Sequence, residues 1–257
     1  MTDRLHDKVA IVTGGASGIG FAIASAFARE GAKVCIADLD QDRCDKAAES
    51  IGGDTFGHVL DVRDVASIEA AVAATEARWG RVDVLANVAG VFGMGKILDV
   101  TPAEFDRIFS VNARGLLLMT QACVRRMIAQ GGGAIVNIAS AAGRRATPGA
   151  VCYSASKAAV ISITQATALE FAAAGIRANC IAPGAVRTPM WDEVEDIFAR
   201  TLDVPVGSAE TAQVALAPMG RMAVPAEFAG MAVTLASDES SYMTGQTVNI
   251  DGGTTCN

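Results

Sequence analysis

Two residues at the start of a long apolar stretch have side chains that could exchange a proton with a substrate. Tyr153 and Lys157 stand four residues apart, so a helix places the phenol and the ammonium side by side on one face. A free tyrosine has a pKa of about 10 and is a weak base at neutral pH. Because a nearby positive charge favours the phenolate, the pair predicts a tyrosine of lowered pKa that acts as acid and base. The alternative is a core tyrosine beside a surface lysine.

Histidine is nearly absent from the chain. Only His6 and His58 occur, far apart and without the spacing of metal ligands. A His-based catalytic triad or a His-rich metal site would have to be built from one of these two residues. We therefore expect proton transfer to rest on another residue type, and we predict no metal site.

A glycine-rich loop follows the first predicted strand and runs directly into a helix. Small residues let the main chain approach a pyrophosphate, while the helix N-terminus supplies free N–H groups and the positive end of a dipole. The strand before the loop and the helix after it are the context that a dinucleotide site requires. The residues expected to hold the cofactor here are Gly14, Ser17, Gly18, Ile19 and Gly20.

The second predicted strand ends in an acid, Asp38. A carboxylate at this place can accept hydrogen bonds from both hydroxyls of the adenosine ribose and repels a 2′-phosphate. No lysine or arginine stands at Leu39 or in the loop at residues 15–17. The sequence therefore predicts NAD rather than NADP as the cofactor, with a turn-capping aspartate as the alternative.

The composition restricts the class of protein. The formal charge of -7 argues against a nucleic-acid-binding surface, which is basic. No run approaches the ~20 apolar residues of a membrane span, and no signal region precedes the first strand, so we expect a cytoplasmic protein. The six cysteines form no Cys-x-x-Cys pair and are expected to be buried, reduced thiols: Cys35, Cys44, Cys123, Cys152, Cys180 and Cys256.

Short β-rich runs alternate with helical segments along the whole chain. This alternation predicts an α/β fold, a Rossmann-like, doubly wound parallel sheet of about seven strands flanked by helices, in a single domain over residues 1–257. The predicted strands are 8–12, 33–37, 55–60, 82–86, 134–139, 177–181 and 247–250. The predicted helices are 18–30, 43–50, 65–79, 102–129, 151–173 and 225–236.

Residues 187–221 interrupt the alternation of strands and helices. The segment is more polar than its surroundings and contains three prolines. Long insertions in compact domains are often functional lids, so we predict that this one covers a substrate. A surface loop without a role is the alternative.

Taken together in chain order, these motifs resemble the short-chain dehydrogenase/reductase family over essentially the full length. Further matching pieces are Asn87-Val88-Ala89-Gly90 after the fourth strand and Pro183-Gly184-Ala185-Val186-Arg187-Thr188 after the sixth. One departure is Val88, where the family commonly has a second asparagine. We expect cofactor binding to survive this change, because the first asparagine and the Ala-Gly pair remain.

The resemblance implies a role for each matching residue. Tyr153 would exchange the proton of an alcohol, and Lys157 would lower its pKa and bind the nicotinamide ribose. Ser140 would hold the substrate oxygen, and Asn112 would place a water that links Lys157 to solvent. The cofactor contacts implied are Asp61 and Val62 at adenine, Asn87, Ala89 and Gly90 on the adenosine side, Pro183 and Gly184, and Val186 and Thr188 at the carboxamide. A homotetramer is also implied.

The substrate is less well determined than the reaction. The segment from Met190 to Ala199 resembles that of bacterial sorbitol and galactitol dehydrogenases within the family, which favours a small-molecule polyol. Expected substrate contacts are Ser140, Ala142, Arg144, Tyr153 and Trp191. An apolar secondary alcohol or a 3-oxoacyl substrate is the alternative.

Two readings from other classes of protein stay open beside the dehydrogenase. Residues 154–157 match a Ser-x-x-Lys acyl hydrolase motif, but its usual companion motifs are absent. A non-catalytic, NAD-sensing protein would keep the fold without turnover. The presence of the tyrosine, lysine, serine and asparagine together argues against this second alternative.

Overall fold

A seven-stranded parallel sheet forms the centre of the computed structural model, which describes residues 3–255. The strand order is β3-β2-β1-β4-β5-β6-β7. The strands are β1 Val9–Thr13, β2 Lys33–Asp38, β3 Thr55–Val59, β4 Val84–Asn87, β5 Gly133–Ile138, β6 Ile176–Pro183 and β7 Thr247–Ile250. All seven predicted strands agree with these bounds to within two residues at each end; β6 ends two residues later than predicted, at Pro183.

Helices cover both faces of the sheet. They are α1 Gly18–Arg29, α2 Gln41–Ile51, α3 Val65–Trp79, α4 Pro102–Phe109, α5 Leu116–Gln130, α6 Ala141–Arg144, α7 Val151–Phe171, α8 Pro189–Leu202, α9 Ser208–Leu216 and α10 Ala226–Ala236, with short 3₁₀ turns at Ala172–Ala174 and Asp238–Ser240. The predicted α/β class and the parallel sheet are therefore confirmed.

The alternation of side chains along the central strands explains the two cores. Val12 on β1 joins Phe27 of α1 and Phe228 of α10 on one face of the sheet. Its neighbour Ile11 joins the opposite core, with Met119 of α5. Because successive residues of a strand point to opposite faces, a strand buried on both faces is apolar throughout. All five residues of β1 are buried accordingly.

The order of the strands fixes where a ligand can bind. The chain moves outward from β1 to β2 and β3, and then returns to place β4 on the other side of β1. At such a reversal the loops leave the carboxyl ends of β1 and β4 in opposite directions and open a crevice. The glycine-rich loop after β1 lies at this crevice.

The predicted long helix over residues 102–129 is interrupted in the structure. Between α4 and α5 lies a π-helix, Ser110–Gly115, which contains the buried Asn112. A π-helix bonds residue i to i+5 and thereby adds a residue to the turn. Gly115 permits the close approach of this segment to the β3–α3 loop, because a Cβ there would stand 2.7 Å from Val62 Cγ2.

Side-chain amides bridge the sheet and its helices inside the core. Asn87 on β4 donates to Asn137 Oδ1 on β5 (2.9 Å) and to Thr120 Oγ1 on α5 (3.2 Å). Asn137 in turn donates to Thr164 Oγ1 on α7 (2.8 Å). Buried polar groups require partners of this kind, and a satisfied network favours one arrangement of the elements that it joins.

The cysteines of residues 3–255 are free and buried, as expected; Cys256 lies outside the described part of the chain. Over the same residues, no helix is both long and apolar enough to cross a membrane. Nor do three or more acidic, histidine or cysteine side chains gather there in a way that could hold a metal ion.

Candidate active site

The glycine loop presents its main chain to the crevice. Gly14 and Gly18 have φ angles of +64° and +52°, which side-chain-bearing residues rarely adopt. A Cβ on Gly20 would collide with the Gly14 carbonyl, so α1 begins in direct contact with the loop. Ser17 is the N-cap of α1, and its side chain makes no capping bond. The cradle thus has the shape and the free N–H groups that suit a pyrophosphate.

Asp38 lies beside this loop at the end of β2. Its carboxylate accepts hydrogen bonds from the N–H groups of Ala16 (3.2 Å) and Leu39 (2.8 Å). These bonds orient the carboxylate across the loop, where a ribose bound along the crevice would meet it. The structure therefore brings together the two motifs that the sequence analysis assigned to one cofactor.

The loop after β4 forms the other wall of the crevice. Thr13 Oγ1 accepts hydrogen bonds from the N–H groups of Val88 (3.0 Å) and Ala89 (3.1 Å). Ala89 main-chain atoms lie 3.0 Å from where a Cβ on Gly14 would stand, so the two loops touch. Val88 keeps this main-chain role despite its departure from the family pattern.

Asn87 is expected to contact the cofactor, but the structure places its side chain in the core. Its amide is 4% exposed and is bonded within the core to Thr120 and Asn137. A contact with a cofactor would therefore come from the main chain of Asn87. Its side chain instead stabilises the sheet beneath the site.

Two further predicted contacts lie where β3 ends. Asp61 accepts three hydrogen bonds from the Arg63 side chain, at 2.7–3.1 Å. Hydrogen bonding to this guanidinium holds the pKa of Asp61 below its ordinary value. Val62 is buried and packs on Gly115. The carboxylate keeps lone pairs that could accept from an adenine amino group.

Ser140 and Tyr153 meet although they lie on different elements. Ser140 follows β5 and caps α6, where its hydroxyl accepts from the Ala142 N–H (3.1 Å). Tyr153 lies in the first turn of α7, and its ring is half-buried. Burial raises the pKa of the Tyr153 phenol, and a hydrogen bond with Ser140 acts in the opposite direction.

Lys157 is buried one turn further along α7, with 5% of its surface exposed. Its Nζ donates to the Ile138 carbonyl (2.9 Å) and lies 5.8 Å from the centroid of the Tyr153 ring. Desolvation lowers the pKa of Lys157 to about 8. The phenol of Tyr153 and the ammonium of Lys157 are therefore neighbours, as predicted.

The direction of the Tyr153 pKa shift differs from the predicted one. From the spacing alone, Lys157 is expected to lower the pKa of Tyr153, whereas burial raises it. The physical reason is that burial disfavours the charged phenolate, while the Lys157 ammonium donates its hydrogen bond to the Ile138 carbonyl. The four-residue spacing predicts that the two groups are neighbours, but it does not predict their burial or their hydrogen-bond partners.

Asn112 holds the loop after β4 rather than standing free. Its Oδ1 accepts from the Val91 N–H (2.8 Å), and its Nδ2 donates to the Val91 carbonyl (2.9 Å) and to Ser156 Oγ (3.0 Å). A Cβ on Gly90 would lie 3.3 Å from Asn112 Oδ1 and 3.5 Å from Lys157 Nζ. Gly90 is thus the point where the loop, the π-helix and α7 converge.

The motif after β6 connects the site to the segment 187–221. Gly184 lies against Asp251, and its N–H donates to the Ile250 carbonyl (3.0 Å) beyond Pro183. Thr188 Cγ2 lies 3.3 Å from where a Cβ on Gly18 would stand, which brings the start of α8 onto the glycine loop.

The segment 187–221 is more regular than the loop that the sequence suggested, since it forms α8 and α9. The Glu195 carboxylate is buried and accepts hydrogen bonds from the N–H groups of Gly207, Ala209 and Glu210. At the base, the Arg187 N–H donates to the Ala223 carbonyl, and Val186 pairs with Ala223. Helices α8 and α9 thus form one unit, which is joined to the rest of the fold through the bridge between Val186 and Ala223.

The expected substrate residues are in different situations. The Arg144 side chain donates to the Thr247 carbonyl (2.7 Å) and to Asn249 Oδ1 (3.1 Å). These bonds hold the guanidinium on the edge strand β7, and its expected contact with a substrate stays a prediction. Ala142 packs in the short helix α6 after Ser140. The Trp191 Nε1 atom is buried without a hydrogen-bond partner among residues 3–255.

Two residues near Tyr153 were not predicted from the sequence: Phe92, which contacts its ring, and Arg107, which binds Phe92. The Phe92 ring packs edge-on against Tyr153, with 5.0 Å between centroids. Arg107 on α4 donates to the Phe92 carbonyl (2.7 Å). Neither residue belongs to a motif, and the only signal is the position of Phe92 directly after Gly90-Val91.

Comparison with known proteins agrees with this geometry. A family model described as Enoyl-(Acyl carrier protein) reductase matches residues 14–255. A solved short-chain type dehydrogenase/reductase from Mycobacterium marinum superposes with a TM-score of 0.92 at 33% identity, covering 100% of this chain and 98% of that one. The chain belongs to the short-chain dehydrogenase/reductase family, and it is an oxidoreductase.

Curated relatives resemble the chain over nearly its whole length. The sorbitol dehydrogenase of Cereibacter sphaeroides and the galactitol 2-dehydrogenase of Agrobacterium fabrum are each 44% identical, over 97% of this chain and 98% of theirs. A 3-oxoacyl-(acyl-carrier-protein) reductase of Thermotoga maritima is 40% identical over 97% and 98%. An actinorhodin polyketide ketoreductase solved with NADPH has a TM-score of 0.92 at 35% identity, covering 96% of this chain and 97% of that one.

The buried ammonium generates a stability prediction for the cofactor-free protein. Lys157→Met should raise the free energy of unfolding at pH 7, because a lysine whose pKa falls from 10.5 to about 8 costs about 3 kcal/mol when charged. The loss of a partner for the Ile138 carbonyl reduces this gain by about 1 kcal/mol. Native Lys157 is neutral above pH 8, whereas the unfolded lysine stays charged up to its ordinary pKa. The advantage of the variant is therefore full below pH 8 and is lost as the pH rises toward 10.5.

Denaturant unfolding of both proteins across this pH range measures the effect. Lys46→Met, at an exposed lysine of α2, is the control and should leave stability nearly unchanged at every pH. A Lys157→Met protein that is less stable than the parent at pH 7 would contradict the proposed cost of burial.

Proposed function

We propose that the protein is an NAD-dependent dehydrogenase that interconverts a polyol and its ketone. The observation that carries the reaction type is the meeting of Ser140, Tyr153 and Lys157 beside the glycine loop. The resemblance to the sorbitol and galactitol dehydrogenases supports the substrate class. A 3-oxoacyl substrate is the second candidate, since a relative of that name is 40% identical.

The side chains divide the chemical work. Bound NAD would accept the hydride from the carbinol carbon. Tyr153 accepts the hydroxyl proton in oxidation and returns it in reduction, and the Ser140 hydroxyl donates to the substrate oxygen. Lys157 supplies positive charge below the phenol and would bond the nicotinamide ribose. Burial raises the pKa of Tyr153, and the hydrogen bond with Ser140 opposes that rise.

NAD is proposed over NADP because of the Asp38 geometry. Its carboxylate is fixed by the Ala16 and Leu39 N–H groups, so it cannot turn away from a 2′-phosphate without losing two hydrogen bonds. The side chain at position 39 is an exposed leucine, which offers no positive charge to a phosphate. One structural relative was solved with NADPH, and we propose that Asp38 disfavours NADPH in this chain.

A homotetramer and a cytoplasmic location remain predictions. Exposed apolar side chains on α4, α5 and α7 support an interface there, and they include Phe105, Leu117 and Leu169. Closure of the unit 187–221 over substrate is likewise proposed. The proposal is supported by the contact of Thr188 with the glycine loop at one end of the unit and by the main-chain bonds with Ala223 at the other.

The first test of the reaction type uses the two tyrosines of the chain. Tyr153→Phe should bind NADH normally, and its turnover on the best alcohol of a polyol panel should fall by about 10²–10⁴-fold. Tyr242→Phe is the matched control, because Tyr242 is fully exposed. NADH formation is followed by absorbance. Near-full activity of Tyr153→Phe would contradict the proposed mechanism.

Cofactor choice is tested at the end of β2. The parent protein should bind NADH more tightly than NADPH in fluorescence titration, and Asp38→Ala with Leu39→Arg should shift preference toward NADPH. Asp42→Ala, an exposed acid of the neighbouring α2, should change neither affinity. Tighter binding of NADPH by the parent protein would show that the interpretation of Asp38 is wrong.

The polyol assignment is tested at Trp191. Its buried indole N–H has no partner among residues 3–255, and we propose that a substrate hydroxyl supplies one. Trp191→Phe should raise KM for the polyol by about tenfold, the value of one hydrogen bond. KM for an analogue that has only the reacting hydroxyl should stay nearly constant. An equal change for both substrates would indicate that Trp191 contributes only apolar packing.

A further inference from the structure

The loop after β4 is held from two sides by neighbouring parts of one helical segment. Asn112 binds both main-chain polar groups of Val91, at 2.8 and 2.9 Å. Arg107 binds the next carbonyl, that of Phe92, through Nη2 at 2.7 Å. In a regular α-helix, residues five apart point roughly 140° away from each other. The π-helix at Ser110–Gly115 adds a residue to the turn, so both side chains reach the same loop.

Arg107 is itself fixed. Its Nε and Nη2 donate to the two carboxylate oxygens of Glu104 at 2.7 and 2.8 Å. This two-pronged geometry holds the plane of the guanidinium and directs Nη2 at the loop. The next loop residue is Gly93, where a Cβ would collide with the Glu104 carboxylate and would stand 3.0 Å from Arg107 Nη2. The loop therefore lies directly on the Glu104–Arg107 pair.

The residue fixed in this way contacts the catalytic phenol. The rings of Phe92 and Tyr153 meet edge to face, with 5.0 Å between centroids and 61° between planes. Aromatic pairs favour this arrangement, and the Phe92 ring covers one side of Tyr153 from water. We propose that Arg107 is a positioning residue for Tyr153, acting through the Phe92 main chain and ring. The proposal rests on the proposed role of Tyr153 as acid and base.

A charge on α8 adds support from the segment 187–221. The pKa of Arg107 is raised first by its hydrogen bond with Glu104, and the Glu193 carboxylate of α8 also contributes. Glu193 on α8 therefore lies near enough to Arg107 to affect its pKa.

A double-mutant cycle tests the proposed route. Arg107→Ala and Phe92→Ala should each lower kcat on the order of tenfold to hundredfold, with little change in affinity for NADH. If Arg107 acts through Phe92, the double variant should lose no more than Phe92→Ala alone. Arg107→Lys, which keeps the charge and a donor, should recover part of kcat. Multiplied losses in the double variant would overturn the proposal.

Arg125→Ala is the matched control. Arg125 also pairs with a glutamate on the surface, Glu69 at 3.5 Å, but it lies on α5 away from the loop. Its removal should leave kcat unchanged. If Arg107→Ala folds poorly, Phe92→Leu still removes the ring contact while Arg107 and its bonds stay intact.

A second readout does not depend on turnover. The chain has two tyrosines, so carbon-13 labelling of the phenol carbon gives two NMR signals, and the exposed Tyr242 serves as the reference. Among residues 3–255, the groups that face Tyr153 are Ser140, Lys157 and Phe92. Ser140 and Lys157 are the same in both variants, so a shift reports on the contact with Phe92. Phe92→Ala and Arg107→Ala should both lower the pKa of Tyr153, because water reaches the phenol.

The two readouts separate the proposals. Substrate turnover by the parent protein with an unshifted Tyr153 signal in Arg107→Ala would overturn the positioning role alone. Absence of turnover on every alcohol, with a shifted signal, would count against the proposed function and would support the contact between Arg107, Phe92 and Tyr153.

Discussion

The burial of the Lys157 ammonium is the constraint on which the rest of the site depends. A cation within the protein must be paired, bonded or discharged. Here it is bonded to the Ile138 carbonyl at the end of β5, and its pKa falls to about 8. The position of the carbonyl follows from the sheet, and the position of Nζ follows from α7. The site therefore requires that α7 pack on β5 in one register, which the buried pair of Asn137 and Thr164 secures.

The same constraint explains why small and polar residues surround the lysine. Gly90 leaves room for Nζ and for Asn112 at one point, and Asn112 ties the loop to Ser156 on α7. The site is consequently formed where β4, the π-helix and α7 meet, and not by groups on one element. Phe92 extends this contact region to the Tyr153 ring. Rigid support of this kind favours a fixed geometry for proton transfer.

Sequence alone predicted those features that are local in the chain. The spacing of Tyr153 and Lys157 and the glycine loop before α1 are short-range patterns, and Asp38 could be placed because parallel strands end at one edge. Long-range partners could not be predicted. Arg144 binds residues more than a hundred positions away on β7, and Arg107 binds the Phe92 carbonyl from α4. The π-helix that lets Asn112 bind the same loop leaves no mark in the apolar pattern. The pKa of Tyr153 depends on burial, which spacing does not reveal.

The titration of Tyr153 in the empty and the NAD-bound protein tests the central claim most directly. Carbon-13 NMR of the labelled phenol reports its pKa without any substrate. We predict a pKa above the ordinary tyrosine value of about 10 in the protein without added cofactor, because burial outweighs the hydrogen bond with Ser140. Oxidised cofactor should lower it, since the positive charge of the nicotinamide favours the phenolate. A Tyr153 pKa already below its ordinary value in the empty protein would contradict the account.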